Sequence, residues 1–262
     1  MSDATLGTVD LEIVGDVAWV RFNRPTARNA MSKVMYAQFE AHLDHLATRA
    51  DIRVAVFRGV GGSAFVAGSD IASFDTVQTG ADGVDYERRI GLLASKIASL
   101  PMPTIAVIEG WAVGGGLNTA ALCDLRICTP DAKFGVPIAR TLGNTLSQQT
   151  VSGLVEMIGV ARAKRMLLLA DFLTADEALA AGFVVSVVEP EGLDAAVEDM
   201  CARLRGHAPV TMRVLKEMIN RAVSSVELPD DRELIETVYG SDDFREGVSA
   251  FVARRKPEWR NR

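Results

Sequence analysis

Two glycine-bearing segments, each directly behind an apolar run, constrain this chain more than any other feature. Residues 63–71 read SAFVAGSDI and follow the run from Ile52 to Phe57; residues 109–119 read EGWAVGGGLNT and follow Thr104 to Ile108. A small residue just after a strand leaves its backbone N–H uncovered, and Ala67 and Gly115 are such residues. Two N–H groups aimed at one carbonyl oxygen stabilise negative charge that develops there, with no side chain required. Gly114, Gly115 and Gly116 also open an Ala-rich apolar stretch, Leu117 to Leu122, which predicts a helix. Gly115 then stands at a helix N-terminus, where the free N–H groups and the dipole favour an anion.

The rest of the chain predicts layered strands and helices. Val9 to Val14 and Val17 to Phe22 read as a hairpin about Gly15-Asp16. Ser32 N-caps a helix with Met35, Phe39, Leu43 and Leu46 on its apolar face. Ile52 to Val60 is a buried strand. The polar stretch from Ala72 to Asp85 reads as a mobile loop or frayed helix, with a helix following to about Leu100. Strands are expected at 104–109 and 123–128, and Thr174 to Glu177 reads as a capping box. From Leu193 onward the pattern is helical, with Pro209 in a first turn and an apolar stripe of Val210, Val214, Met218 and Ala222. Ser241-Asp242-Asp243 opens the last helix and Arg254-Arg255-Lys256 closes it, in agreement with the helix dipole. With little sheet left to cover, this tail is expected to meet another subunit.

Composition narrows the function classes. The 262 residues carry a formal net charge of -6, which disfavours a nucleic-acid binder. Cys123, Cys128 and Cys201 have neither metal-ligand nor disulfide spacing and read as buried thiols of a reducing compartment. The opening residues show no signal peptide and no run is long enough for a membrane span, so a cytoplasmic location is expected.

The two glycine segments, in order and each behind a strand, resemble the signature of the crotonase superfamily, the enoyl-CoA hydratase/isomerase family. Arg28-Asn29-Ala30-Met31 resembles its early RNAL-type motif, Cys123 to Ile127 the strand after the second donor, and ADEALAAGFVV (175–185) and FVARRKPEW (251–259) its later motifs. The resemblance spans roughly residues 8–259. It implies an α/β spiral of β-β-α units, with residues 1–192 as the acyl-CoA-binding core and 193–262 as a helical trimerisation region. It implies an oxyanion hole made by Ala67 and Gly115. It assigns Thr26, Arg28, Ala64, Ala67, Asp70, Ile71, Gly114, Pro137, Thr141 and Lys256 to the coenzyme A and substrate groove. Coenzyme A would enter as part of the substrate, with no permanent cofactor, no metal, and a trimer or dimer of trimers as the assembly.

Family hydratases carry two glutamates that position a water and move its protons. Here those positions resemble Asn118, two residues after the glycine triplet, and Ile138, after Phe134-Gly135-Val136-Pro137. Asn118 holds a water but does not take its proton near neutral pH, and Ile138 does neither. The resemblance therefore implies enolate stabilisation with weakened hydration. Double-bond isomerisation and acyl-CoA binding without turnover stay open beside it. Arg140, Thr141, Asn144 and Thr145 should line the same pocket. Asp70 and Asp124 read as structural carboxylates that bond local N–H groups. Asp75, Asp82, Asp85 and Glu87 read as solvated, His42 and His45 as surface or packing residues, and His207 as a turn residue.

Overall fold

The computed structural model describes residues 6–224 and 228–260. β1 (Thr8–Val14) and β2 (Val17–Asn23) form the expected hairpin, Val14 pairing with Val17. Ser32 Oγ accepts from Met35 N and caps α1 (Lys33–Ala47), which buries Met35, Phe39, Leu43 and Leu46, the four positions of its apolar stripe. β3 (Val54–Gly59) and β4 (Ala64–Val66) precede a short 3-10 turn, Ile71–Thr76, and α2 (Gly80–Ala98). A second unit follows with β5 (Thr104–Ile108), β6 (Trp111–Val113) and α3 (Gly115–Leu122). A third has β7 (Leu125–Cys128), β8 (Lys133–Gly135), α4 (Ile138–Thr141), α5 (Gln148–Ile158) and α6 (Val160–Leu168). β9 (Leu173–Thr174), α7 (Ala175–Ala180) and β10 (Ser186–Val187) lead to α8 (Pro190–Arg205), α9 (Pro209–Ser224), α10 (Arg232–Tyr239) and α11 (Asp242–Val252).

Each β-β-α unit sends its first strand to one sheet and its second to another. The large sheet runs β1-β2-β3-β5-β7-β10 and the small one β4-β6-β8-β9. Among the described residues, β1 and β2 pair antiparallel in the large sheet and β8 and β9 in the small one, and the other pairs are parallel. The chain thus winds as a spiral with its main core inside. Phe22, Phe39, Phe57 and Phe65 meet there edge to face, with ring centroids 5.2–6.0 Å apart. The three-residue strands of the small sheet are too short to show a period, so the sequence does not display them.

The large sheet is covered on both faces, which is why β3 reads as an unbroken apolar run. Ala55 and Phe57 face the main core, and Val54 and Val56 pack with Leu193, Val197 and Cys201 of α8. This corrects the expectation that the C-terminal helices have little sheet to cover. α10 and α11 are also occupied within the chain: Ile235, Tyr239 and Phe244 bury against Phe74 and Val77. α9 is tied down along one side, where Lys216 Nζ donates to Asp124 Oδ2 (2.8 Å) and to Met102 O (3.2 Å). Asp124 also accepts from Thr104 N and Oγ1, as a structural carboxylate.

One buried amide fastens the loops of the first unit. Arg28 and Asn29 both sit in the left-handed region, φ 51° and 58°. Asn29 is fully buried. Its Oδ1 accepts from Arg24 N (2.9 Å), and its Nδ2 donates to Val60 O (3.0 Å) and Ala64 O (2.8 Å). Asn29→Ala leaves three backbone groups short of a partner and puts a Cβ residue with no local hydrogen bonding at positive φ. The expected loss is roughly 3–5 kcal/mol, read as a lowered urea midpoint at unchanged slope. A loss under about 1 kcal/mol, the net worth of one ordinary hydrogen bond, would show that the amide is not the fastener.

Candidate active site

β4 and β6 are parallel neighbours, so the segments that leave them run side by side. A Cβ on Gly114 would stand 3.9 Å from Gly68 Cα, and one on Gly116 only 2.0 Å from Val66 O. Glycine at 116 is what lets the first turn of α3 rest on β4. Gly115 is the first residue of α3, where a backbone N–H has no acceptor within the helix.

The other loop differs from expectation. Ala67 N–H donates to Arg28 O (3.0 Å), so it is committed and does not face a ligand oxygen. Ser69, two residues on, makes a parallel bridge with Met31. Met31 N–H donates to Gly68 O and Asp70 N–H donates to Met31 O, both at 2.8 Å. Alternation along extended backbone then turns the N–H of Ser69 itself to the opposite side. Ser69 Oγ lies 2.8 Å from Tyr36 Oη and 3.0 Å from Tyr86 Oη. It is 3.8 Å from where a Gly115 Cβ would be, so the two segments meet at this point.

A cavity of about 650 Å³ opens over this junction. Ser69, Gly115, Asn118 and Ile138 all line it, and Ile90, Leu142 and Leu146 give it an apolar wall. Arg24, Thr26, Arg28, Ile71 and Arg254 line it too. Arg24 Nη1 donates to Asp70 Oδ2 (2.7 Å), so Asp70 is held by a guanidinium rather than serving local N–H groups alone. Arg28 is exposed, with its guanidinium 5.9 Å from the centroid of the Trp111 ring.

The same cavity reaches Glu87, read from sequence as solvated. It is 6% exposed. α2 begins at Gly80, several residues earlier than expected, because Thr79 and Asp82 form a capping box. Gly80 and Gly83 then allow α10 to lie directly on α2: a Cβ on Gly83 would come within 2.3 Å of Tyr239 Cγ. Tyr239 Oη donates to Glu87 Oε1 (2.8 Å), Ser147 N donates to Oε2 (3.1 Å), and Asn144 Nδ2 donates to Tyr239 Oη (3.3 Å). Burial pushes the Glu87 carboxyl up to about 7, against the pull of those two donors and with the charge of Asp231 adding to the rise. Burial also holds the Tyr239 phenol well above its usual range, so it remains the donor. Asp82 is spent on the cap and Asp85 is exposed; the Asp75 side chain lies outside the described ones.

Residues 12–262 match the family model described as Enoyl-CoA hydratase/isomerase. The chain belongs to the enoyl-CoA hydratase/isomerase family. It is 31% identical over 260 residues to a short-chain-enoyl-CoA hydratase of Clostridium acetobutylicum, with 97% of each chain covered. It is 33% identical over 261 residues to an (E)-benzylidenesuccinyl-CoA hydratase of Thauera aromatica, with 96% of this chain and 98% of that one covered. Among solved structures, a methylmalonyl-CoA decarboxylase in complex with 2-nitronate-propionyl-CoA superposes with a TM-score of 0.87 at 29% identity, covering 97% of this chain and 99% of that one.

Against that family background, the structure gathers most of the expected groove residues and moves some. Thr26, Arg28, Ala67, Asp70, Ile71, Gly114, Gly115, Asn118, Pro137, Ile138 and Thr141 border one cavity. Ala64 does not: it is fully buried in β4 and its carbonyl accepts from Asn29, so it stands inside the wall. Lys256 is exposed and off the cavity within this chain, where Arg254 is the C-terminal cation that borders it. Asn144 lines the cavity as expected, but Arg140 is exposed and away from it, and Thr145 does not border it. His42 Nε2 sits 2.8 Å from Val9 O as a packing residue. Among the described residues, no cluster of His, Cys, Asp and Glu is arranged to hold a metal ion.

The raised Glu87 carboxyl fixes a pH dependence of stability. Below about pH 4.5 the group is protonated folded and unfolded, and its full contribution is present. As pH rises through about 7 the unfolded carboxyl ionises first, so stability falls across that window and levels off above it. The total is on the order of 3 kcal/mol at about 1.4 kcal/mol per pKa unit. Chemical unfolding from pH 4 to 8 should show this decline in the wild type, and Glu87→Gln should flatten it. Parallel curves for the two proteins would show that Glu87 ionises as freely in the fold as out of it.

Proposed function

We propose that this protein is an acyl-CoA enzyme that polarises a thioester carbonyl between the backbone N–H groups of Ser69 and Gly115 and stabilises the resulting enolate. The observation that carries this reading is that Ser69 and Gly115 border one cavity side by side, Ser69 Oγ 3.8 Å from where a Gly115 Cβ would stand, with the Ser69 N–H turned away from Met31 and the Gly115 N–H at the start of α3. Removing one such donor from an oxyanion site typically lowers kcat roughly 10²–10³-fold. Arg28 and Arg254 border the cavity as exposed cations suited to the phosphates of coenzyme A, with Lys256 nearby in sequence for the same purpose. Coenzyme A is part of the substrate.

Asn118 and Ile138 stand where hydratases of the family carry their two glutamates, so water activation is weak here. A positioned acid or base contributes about 10²–10⁴-fold, and two are replaced. Calorimetry should show saturable binding of butyryl-CoA and none of butyrate. Crotonyl-CoA should be hydrated far below kcat ~10³ s⁻¹, the upper range for ordinary enzymes. Asn118→Glu with Ile138→Glu should raise hydration in protein shown by circular dichroism to be folded. No binding at millimolar thioester sinks the reading; fast wild-type hydration sinks the part about the missing glutamates.

Residues 193–262 serve assembly through α9 rather than as a whole. Although Lys216 anchors this helix, Val210, Val214, Met218 and Ile219 remain 46–62% exposed. Exposed apolar residues gathered along one helix in this way support a homotrimer or a dimer of trimers. Light scattering should give a multiple of three chains, and Val214→Glu with Met218→Glu should dissociate it. A wild-type monomer at working concentration contradicts the assembly.

A further inference from the structure

The cavity has two carboxylates on its wall, Asp70 and Glu87, and no histidine, cysteine or lysine among the described lining residues. Asp70 is ion-paired with Arg24 beside the loop that carries Arg28. Glu87 faces the same space as Ile90, Leu142 and Leu146, an apolar setting suited to an acyl chain. Each of its oxygens receives one donor, from Tyr239 or from Ser147 N, which orients the group and leaves each oxygen a further lone pair. Asn144, which supports Tyr239, keeps a buried Oδ1 with no partner in the same cavity wall. The sequence motifs of the family do not mark this position.

We propose that Glu87 is the catalytic acid–base group of this site and that it carries one proton between two carbons of a bound 3-enoyl-CoA, converting it to the 2-enoyl isomer. This rests on the acyl-CoA reading above. The carboxylate takes the proton from C2; the C2–H electron pair forms a C1–C2 double bond and charge collects on the thioester oxygen, held by the Ser69 and Gly115 N–H groups. The carbonyl then reforms, the double bond settles between C2 and C3, and the Glu87 carboxyl returns its proton to C4. No atom is gained or lost and no water is needed, so the missing glutamates do not obstruct it. The reaction asks one group to be base and then acid, which is easiest when its pKa is near the working pH; burial sets Glu87 at about 7.

The charged and titratable groups around it define what a pH profile reports. Tyr86 is on its own helix, Tyr239 comes from α10, and Asp231 stands at the start of α10. On the other side of Glu87, away from this cavity, a second pocket is lined by Arg88 of the same helix and by Asp230, Asp231 and Arg232 ahead of and within α10.

The test uses the full chain with 3-hexenoyl-CoA deuterated at C2, and hexanoyl-CoA as an unreactive binding probe. The wild type should form 2-hexenoyl-CoA with part of the C2 label recovered at C4, and its kcat should rise with pH to a plateau beyond about 7. Glu87→Gln should lower kcat by about 10²–10⁴-fold with hexanoyl-CoA affinity unchanged. Tyr239→Phe removes a donor that favours the carboxylate, so its rising limb should move to higher pH; this decides the matter if Glu87→Gln does not fold. Wild type that binds hexanoyl-CoA but does not isomerise overturns this proposal and leaves the acyl-CoA reading standing. Wild type that binds no thioester overturns both. Glu87→Gln turning over like wild type, or a Tyr239→Phe limb at the wild-type pH, also overturns it.

Discussion

The side-chain amide of Asn29 ties together three stretches of backbone, those at Arg24, Val60 and Ala64, just where the β2–β3 ladder ends. It receives the N–H of Arg24 and gives its own two hydrogens to Val60 and Ala64. Arg28, beside it, offers the carbonyl that takes the N–H of Ala67. Met31, two residues further, brackets Ser69 from both sides. The loop from 24 to 31 therefore decides which way the loop from 67 to 70 presents its N–H groups. An apolar residue at 29 would leave buried polar groups unmatched, and the disturbance would fall first on the side of the cavity that residues 67–70 line.

Much of this arrangement was legible in the sequence, because it depends on local chemistry. Ser32 and the stripe of Met35, Phe39, Leu43 and Leu46 specify α1, and Thr174 to Glu177 specify the cap of α7. The glycine triplet specifies the turn into α3, since Gly116 meets Val66 with no room for a Cβ. The choice between Ala67 and Ser69 was not legible. Both follow β4 and both are small; what separates them is the partner each N–H finds, and that partner lies on another loop.

Glu87 illustrates the same limit more sharply. In sequence it sits in a stretch rich in Asp, Arg and Gly, the composition of a solvated surface. It is buried because Tyr239, 152 residues away, lies across it. One local sign did exist: Gly80, Gly83 and Glu87 share a helix face at spacings of three and four, and two glycines on one face permit a close helix neighbour. The identity of that neighbour depends on the tertiary fold.

The close crossing of α2 and α10 has a consequence for the order in which the protein becomes competent. A chain made from its N-terminus can assemble the two-sheet spiral early, since all the described strands lie before residue 188. Until α10 docks, however, Glu87 lacks the Tyr239 donor and the cover that α10 supplies. The spiral is then folded while Glu87 is not yet covered. Burial of this carboxyl waits on the docking of α10 rather than on formation of the sheet.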